Sequence, residues 1–219
     1  MSAETLQQTT AEAVAAGMLE IGAVGFRPHA PITFKSGIIS PVYCDNRRFP
    51  FHPPQWATVI AGFRALLRGR SVDALAGVEA AGIPHSAALG FAAELPSVFV
   101  RKQAKEHGTK KLVEGGDVRG RRVVLVEDLV TTGLSSLAGV EALRAEGALV
   151  EECFAIIAYG FAEATEAFAR ANVTLRTLTT FDVVLSLAQQ RGVLSAEEAA
   201  EVRRWMEDPH GWAASRGRS

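Results

Sequence analysis

The stretch VVLVEDLVTTGLSS, residues 123–136, decides how this chain is read. It begins with Val123–Val126, a short continuous apolar run rich in valine, the pattern of a strand buried on both faces of a parallel sheet. Ligands of open α/β sheets collect outside the carboxyl ends of the strands, and there the sequence sets Glu127 and Asp128. Leu129 and Val130 lead into the turn Thr131-Thr132-Gly133. That turn offers backbone N–H groups and hydroxyls, and Leu134 and Ser135 open a helix whose N-terminus adds positive dipole. Two carboxylates can take ribose hydroxyls or a metal while the turn takes a phosphate monoester. A strand–turn–helix in which Asp128 and Ser135 merely cap would explain an isolated acidic pair, but not the whole string.

The rest of the chain narrows the class. A length of 219 residues suits one large or two small domains, and a 48% hydrophobic share is ample for a sizeable core. The formal charge of −1, without a basic block at either end, gives no electrostatic reason to expect nucleic acid. Cys44 and Cys153 have no CxxC spacing and no secretory leader precedes them, so they read as reduced thiols of a cytosolic protein. No uninterrupted apolar stretch is long enough to cross a bilayer. Histidines and cysteines show no metal-ligand spacing. No GxGxxG follows a strand and no GxxxxGK[ST] occurs, which weighs against dinucleotide and NTPase readings.

Thr9 with Glu12 forms a candidate capping box for an alanine-rich first helix ending near Leu19. Residues 24–48 alternate short β-prone pieces with Pro and Gly, as a small antiparallel substructure or lid would. Pro53-Pro54 opens a helix with apolar residues at helical spacing, stopped by Gly69. Strands are then expected at 73–78, 97–101, 123–128, 153–159 and 173–181, with helices near 135–146 and 161–171 and Gly147 as a C-terminal cap. Repeated βα units imply a mainly parallel sheet. Ser195 with Glu198 caps a last helix ending near Asp208, and the tail Gly211–Ser219 reads as frayed.

A second cluster of charge, RKQAKEHGTKK at 101–111, lies between two apolar strands. A solvated loop is the default for such a run. This one, however, leaves a strand directly, so it shares a sheet edge with Glu127–Asp128. Its neighbourhood to residue 120 has little apolar content, as a mobile active-site loop would, and its charge complements a multiply phosphorylated substrate. The glycine-bearing turn GVEAAGIPH, 77–85, follows the first strand and lets backbone approach a ligand.

Together these segments resemble the type I phosphoribosyltransferases, and specifically the orotate phosphoribosyltransferases. VVLVEDLVTTGLSS resembles the family's motif for 5-phosphoribosyl 1-diphosphate. FKSGIISPVYCDNR (34–47) resembles the orotate enzymes' F-x-x-SG-x-x-SP-x-Y-x-D signature, and VRKQAKEHGTKKLVEGG (100–116) their catalytic loop. The resemblance runs from about Ala15 to about Ala158. It implies a mainly parallel central sheet flanked by helices in a single domain over 1–219, with an N-terminal hood mainly in 1–50. The α/β core would span about 51–185 and a C-terminal helix about 195–208.

It also implies roles. Glu127 and Asp128 would hold the ribose hydroxyls while Leu129 to Ser135 line the 5-phosphate site. Arg101, Lys102, Lys105 and His107 would bind diphosphate, with the loop 101–111 shared across a homodimer. Lys35 would reach the reaction centre, Tyr43, Cys44 and Thr131 would line the orotate pocket, and the turn at 77–82 would lie against the diphosphate. Lys105, His107 and Lys35 would be catalytic. Magnesium would come with the substrate diphosphate and not through direct protein ligands. The implied reaction gives orotidine 5′-monophosphate, a cytoplasmic step of pyrimidine and UMP biosynthesis, with no nucleic-acid or membrane partner.

Three departures stand out. Many relatives carry an arginine after the fourth strand that binds orotate's carboxylate, where Ala158-Tyr159-Gly160-Phe161 stands here; Arg47 and Arg48 are the nearest cations. Ala81 replaces a lysine of the first phosphate turn in some relatives, and Leu134 occupies a site usually small or hydroxylated. The rivals are a purine phosphoribosyltransferase, which shares the 123–136 motif, and a non-catalytic sensor of phosphoribosyl diphosphate. A sensor should lack the loop cations, which this chain has.

Overall fold

The computed structural model describes residues 3–34, 37–102 and 111–215. The site rests on strand β8 (Arg122–Val130), whose Val123–Val126 are all buried. Its neighbours are β5 (Ala74–Val78) on one side and β9 (Leu149–Ala158) on the other. Among the described residues the sheet has the order β10-β9-β8-β5-β6-β7, with β6 at Ser97–Val100, β7 at Val113–Glu114 and β10 at Thr174–Thr180. Every pairing is parallel except β6 with β7.

One face is covered by α1 (Ala3–Glu20), α2 (Pro53–Leu67), α3 (Gly82–Ala93) and α6 (Phe181–Gln190), which share a core with Val124, Val126 and Phe154. The other is covered by α4 (Leu134–Ala145) and α5 (Ala162–Arg170), whose Val140, Leu143 and Phe168 meet Val123 and Leu125. Burial on both faces is why β8 lacks the alternation of a half-exposed strand.

The predicted antiparallel substructure forms from β1 (Val24–Phe26) with β4 (Val42–Cys44) and β2 (Ile32–Thr33) with β3 (Ile39–Ser40). A 3-10 helix, Asn46–Phe51, leads from it into α2. At the other end of the chain, α7 (Ala196–Glu207) is opened by the Ser195–Glu198 capping box. Its Trp205 is fully buried and donates from Nε1 to the Ile39 carbonyl at 3.0 Å, tying the C-terminal helix to the hood. Truncating such a residue costs about 3–5 kcal/mol.

Four expectations need correction. The first helix begins at Ala3, and Thr9 lies inside it, its hydroxyl donating to the Thr5 carbonyl at 2.8 Å; six further residues extend the turn, so no cap is needed there. Strand β8 runs on past the acidic pair to Val130, because β9 stays paired as far as Val130↔Ala158. The tail is not frayed up to residue 215: Trp212 opens α8 (Trp212–Ser215), is 3% exposed, and donates to Glu201 at 2.8 Å. The sheet also gains the antiparallel β7, and α6 follows β10 directly, capped by Thr180.

Candidate active site

The overhang of β8 creates the site. Strand β5 pairs with β8 only as far as Gly77↔Val126, then turns away, leaving Glu127 and Asp128 next to the turn that opens α3. That turn fits because of two glycines. A Cβ on Gly82 would lie 2.4 Å from the Val126 carbonyl oxygen, and one on Gly77 2.8 Å from the Gly82 carbonyl oxygen. The intervening Glu79–Ala80 peptide is cis.

Glu127 is 4% exposed, and its carboxylate accepts from the Ser136 hydroxyl of α4 at 3.3 Å and from the Asp128 amide at 3.2 Å. Burial, then the neighbouring Asp128 charge, pushes its pKa well above the usual carboxylate range, and burial likewise raises Asp128. Partly buried Asp128 lies on the hood side, within electrostatic range of Arg47, Cys44 and Tyr159. Two carboxylates held against their ionised form favour hydroxyl or cation partners.

The turn Thr131-Thr132-Gly133 leads from β8 into α4, as the sequence predicts. Gly133 has φ +81° and serves as N-cap of α4 without any side-chain cap, while Thr131 and Thr132 remain partly exposed. The first amides of α4 have no intrahelical acceptor by helix geometry, which suits an anion. A Cβ at Gly133 would meet Phe168 at 3.0 Å. Leu134 is 72% exposed, so its side chain leaves the turn open.

The loop residues divide. Lys102 donates its backbone amide to Glu79 at 3.0 Å, joining the post-β6 segment to the β5 turn, and its charge reaches Glu127. Arg101 pairs with Glu114 of β7 at 3.1 Å. Lys35, Lys105 and His107 lie outside the described residues. In the hood, Tyr43 donates to Asp45 at 3.0 Å and Cys44 to the Asn46 side chain at 3.8 Å. Arg48 donates to the Gly22 carbonyl at 3.0 Å, whereas Arg47 pairs with Asp45 beside Tyr43.

Two positioning groups escaped the sequence reading. Buried Asn46 donates from Nδ2 to the Asp128 carbonyl at 3.0 Å, fastening the hood to β8 across 82 residues. Its only sequence signal was membership of the 34–47 string. His85, fully buried in α3, accepts from Trp56 Nε1 at 3.0 Å, and burial lowers its pKa to about 4.

Comparison with known proteins agrees with this geometry. Residues 58–167 match the model of the phosphoribosyl transferase domain. The orotate phosphoribosyltransferase of Bacillus caldolyticus is 41% identical over 203 residues, covering 92% of this chain and 98% of that protein. The crystal structure of orotate phosphoribosyltransferase from Aeropyrum pernix superposes with TM-score 0.70 at 30% identity, covering 83% of this chain and 99% of that one. Leishmania donovani UMP synthase gives TM-score 0.79 at 25% identity, covering 90% of this chain but 42% of that longer one.

Proposed function

The chain belongs to the orotate phosphoribosyltransferase family, and we propose on that premise that it transfers the phosphoribosyl group of 5-phosphoribosyl 1-diphosphate to orotate. The products are orotidine 5′-monophosphate and diphosphate, a step of pyrimidine and UMP synthesis. The observation that carries the reading is the pair Glu127–Asp128, both raised in pKa, beside a helix N-terminus that no side chain caps.

In this reading Asp128 and Glu127 accept from the ribose hydroxyls, which relieves two uncomfortable carboxylates. The amides and hydroxyls of Thr131 to Ser135 hold the 5-phosphate. Orotate lies along Tyr43 and Cys44, with Lys35 and Thr131 at its reacting side, and its ring nitrogen attacks the anomeric carbon as the C–O bond to diphosphate breaks with inversion. Lys102, Lys105, His107 and Arg101 neutralise the leaving diphosphate, and Arg101 must exchange Glu114 for it. Two carboxylates favouring a hydroxyl or hydrated cation fit magnesium that enters on the substrate. The ion would supply charge neutralisation at the diphosphate.

The chain works as one phosphoribosyltransferase unit with the hood mainly in residues 1–50. Phe51 and Phe91, 85% and 90% exposed, suit a homodimer contact, with the 101–111 loop reaching the partner's site. Free thiols at Cys44 and Cys153 fit a reducing cytoplasm.

The test is the fall in orotate absorbance when protein, phosphoribosyl diphosphate and magnesium are mixed. Consumption of adenine or hypoxanthine with orotate untouched would transfer the assignment to a purine enzyme, and binding without turnover of any base would make it a sensor. Lys105→Ala should cut kcat by roughly 100-fold or more while leaving ground-state binding nearly intact; an unchanged kcat removes the loop from catalysis.

A further inference from the structure

Among the described residues, the buried side-chain atoms without a hydrogen-bond partner include the Tyr159 hydroxyl. A phenol buried this way forfeits its hydration, and phenylalanine would fill the same space without that cost. Tyr159 sits at the sheet edge that carries the acidic pair. It follows Ala158, the last residue of β9, and its amide donates to the Val130 carbonyl at 3.2 Å.

Its ring is held on several sides. Centroids lie 6.0 Å from Phe34, 5.4 Å from Phe161, 5.1 Å from Phe181 and 5.2 Å from Trp205. The hood, the post-β9 turn, α6 and α7 thus fix where the hydroxyl points. Near it are Cys44 and Asp128, which, after burial, push its pKa further up. It is therefore a donor at neutral pH and finds no acceptor among the described residues.

We propose that the Tyr159 hydroxyl is a specificity-determining donor to the carboxylate of the pyrimidine substrate. The inference rests on the orotate reading above. In orotate the carboxylate is borne by the ring carbon next to the attacking nitrogen, so it lies close to the ribose that Asp128 would hold. A donor flanked by Asp128 and Cys44 is in that neighbourhood. The need is chemical: a carboxylate entering beside Glu127 and Asp128 meets two acids, and Arg48 is already committed to Gly22. A neutral phenol gives a charge-assisted hydrogen bond without adding another ion to an apolar cage. Because only a carboxylate gives this buried donor its partner, the hydroxyl favours orotate over a pyrimidine that lacks the carboxylate. Phe34 covers the ring from the hood, so binding asks this side chain to shift, a rearrangement common at recognition surfaces.

The experiment is Tyr159→Phe in the full chain, assayed at saturating phosphoribosyl diphosphate and magnesium beside the wild type. The orotate KM should rise about tenfold or more. The KM for phosphoribosyl diphosphate and the inhibition constant of uracil should stay the same, and Tm should be equal or higher. An unchanged orotate KM, or a parallel weakening of uracil, overturns the inference. A wild type that consumes no orotate sinks the functional reading instead, so the two failures are distinguishable. If the variant does not fold, fluorotyrosine labelling of the wild type serves, since the chain has two tyrosines. Orotate should then move the Tyr159 resonance and uracil should not; equal responses to both overturn the proposal.

Discussion

The two ends of strand β8 treat their acids in opposite ways. At the amino end, Asp73 receives three hydrogen bonds from Arg122, at 2.8 to 2.9 Å, two from the guanidinium and one from the backbone. This holds the Asp73 carboxyl well below its ordinary range. At the carboxyl end, burial pushes Glu127 and Asp128 the other way, and the Asp128 charge pushes Glu127 further. The first end is satisfied by the protein itself; the second is where we propose that the substrate is held. The difference is that between a fastening and the proposed binding site, since carboxylates perturbed by burial mark candidate functional positions.

The sharpest way to break this comparison is Glu127→Gln. Substrate affinity and turnover together should fall on the order of 100-fold in kcat/KM, because the carboxyl group proposed to hold the ribose is gone. Stability should move oppositely. A native pKa raised above the unfolded value means the wild type loses stability as pH rises through the native value, whereas glutamine does not titrate. The variant should therefore melt above the wild type at pH 8, with the gap closing as pH falls. A variant that melts lower at pH 8 would show Glu127 to be a structural acid like Asp73.

Next in size is Gly82→Ala. Its Cβ would meet the Val126 carbonyl oxygen at 2.4 Å, and both partners are backbone, so relief requires moving α3 away from β8. Overpacking of this kind costs about 1–3 kcal/mol. Chemical denaturation should show that loss together with weaker phosphoribosyl diphosphate binding. Unchanged values for both would mean that the close approach does not build the site.

These two tests bear on what the sequence disclosed. The strand, acidic pair and glycine turn of 123–136 were legible because local chemistry dictates them: valine burial, a glycine at positive φ, and a helix start. The Ser195–Glu198 box and the Gly147 cap, at φ +87°, were legible for the same reason. The Thr9–Glu12 pair shows the limit, since the same signature inside a longer helix caps nothing. What stayed hidden depends on contacts remote in sequence. Asn46 acquires its role from the Asp128 carbonyl, Trp212 from Glu201, and the two-residue β7 from its pairing with β6. Tyr159 was noted only as the absence of an arginine, because its aromatic cage joins four separate elements.

A smaller effect concerns pH and His85. Its pKa of about 4 lies below the ordinary value of 6.5, so the unfolded chain binds the extra proton first. Stability should fall as pH drops from 6.5 toward 4 and be unaffected above that window. The difference in Tm between wild type and His85→Gln isolates this group; a flat difference across the window contradicts the buried neutral ring. Smallest is Asp73→Asn at the satisfied end. Its exposed pairing should give a slight drop in Tm at low salt that disappears at high salt. A drop that persists at high salt would mean that the amino end contributes more than a surface fastening.

The most direct measurement sets the two ends against each other: initial rates of orotate consumption, with phosphoribosyl diphosphate and magnesium, for wild type, Asp128→Asn and Asp73→Asn. The account predicts rapid loss of orotate absorbance for wild type and Asp73→Asn, and a rate lower by about 100-fold for Asp128→Asn at an undiminished Tm. Equal rates for Asp128→Asn and wild type would contradict the claim that the carboxyl end of β8 is where the phosphoribosyl group is held.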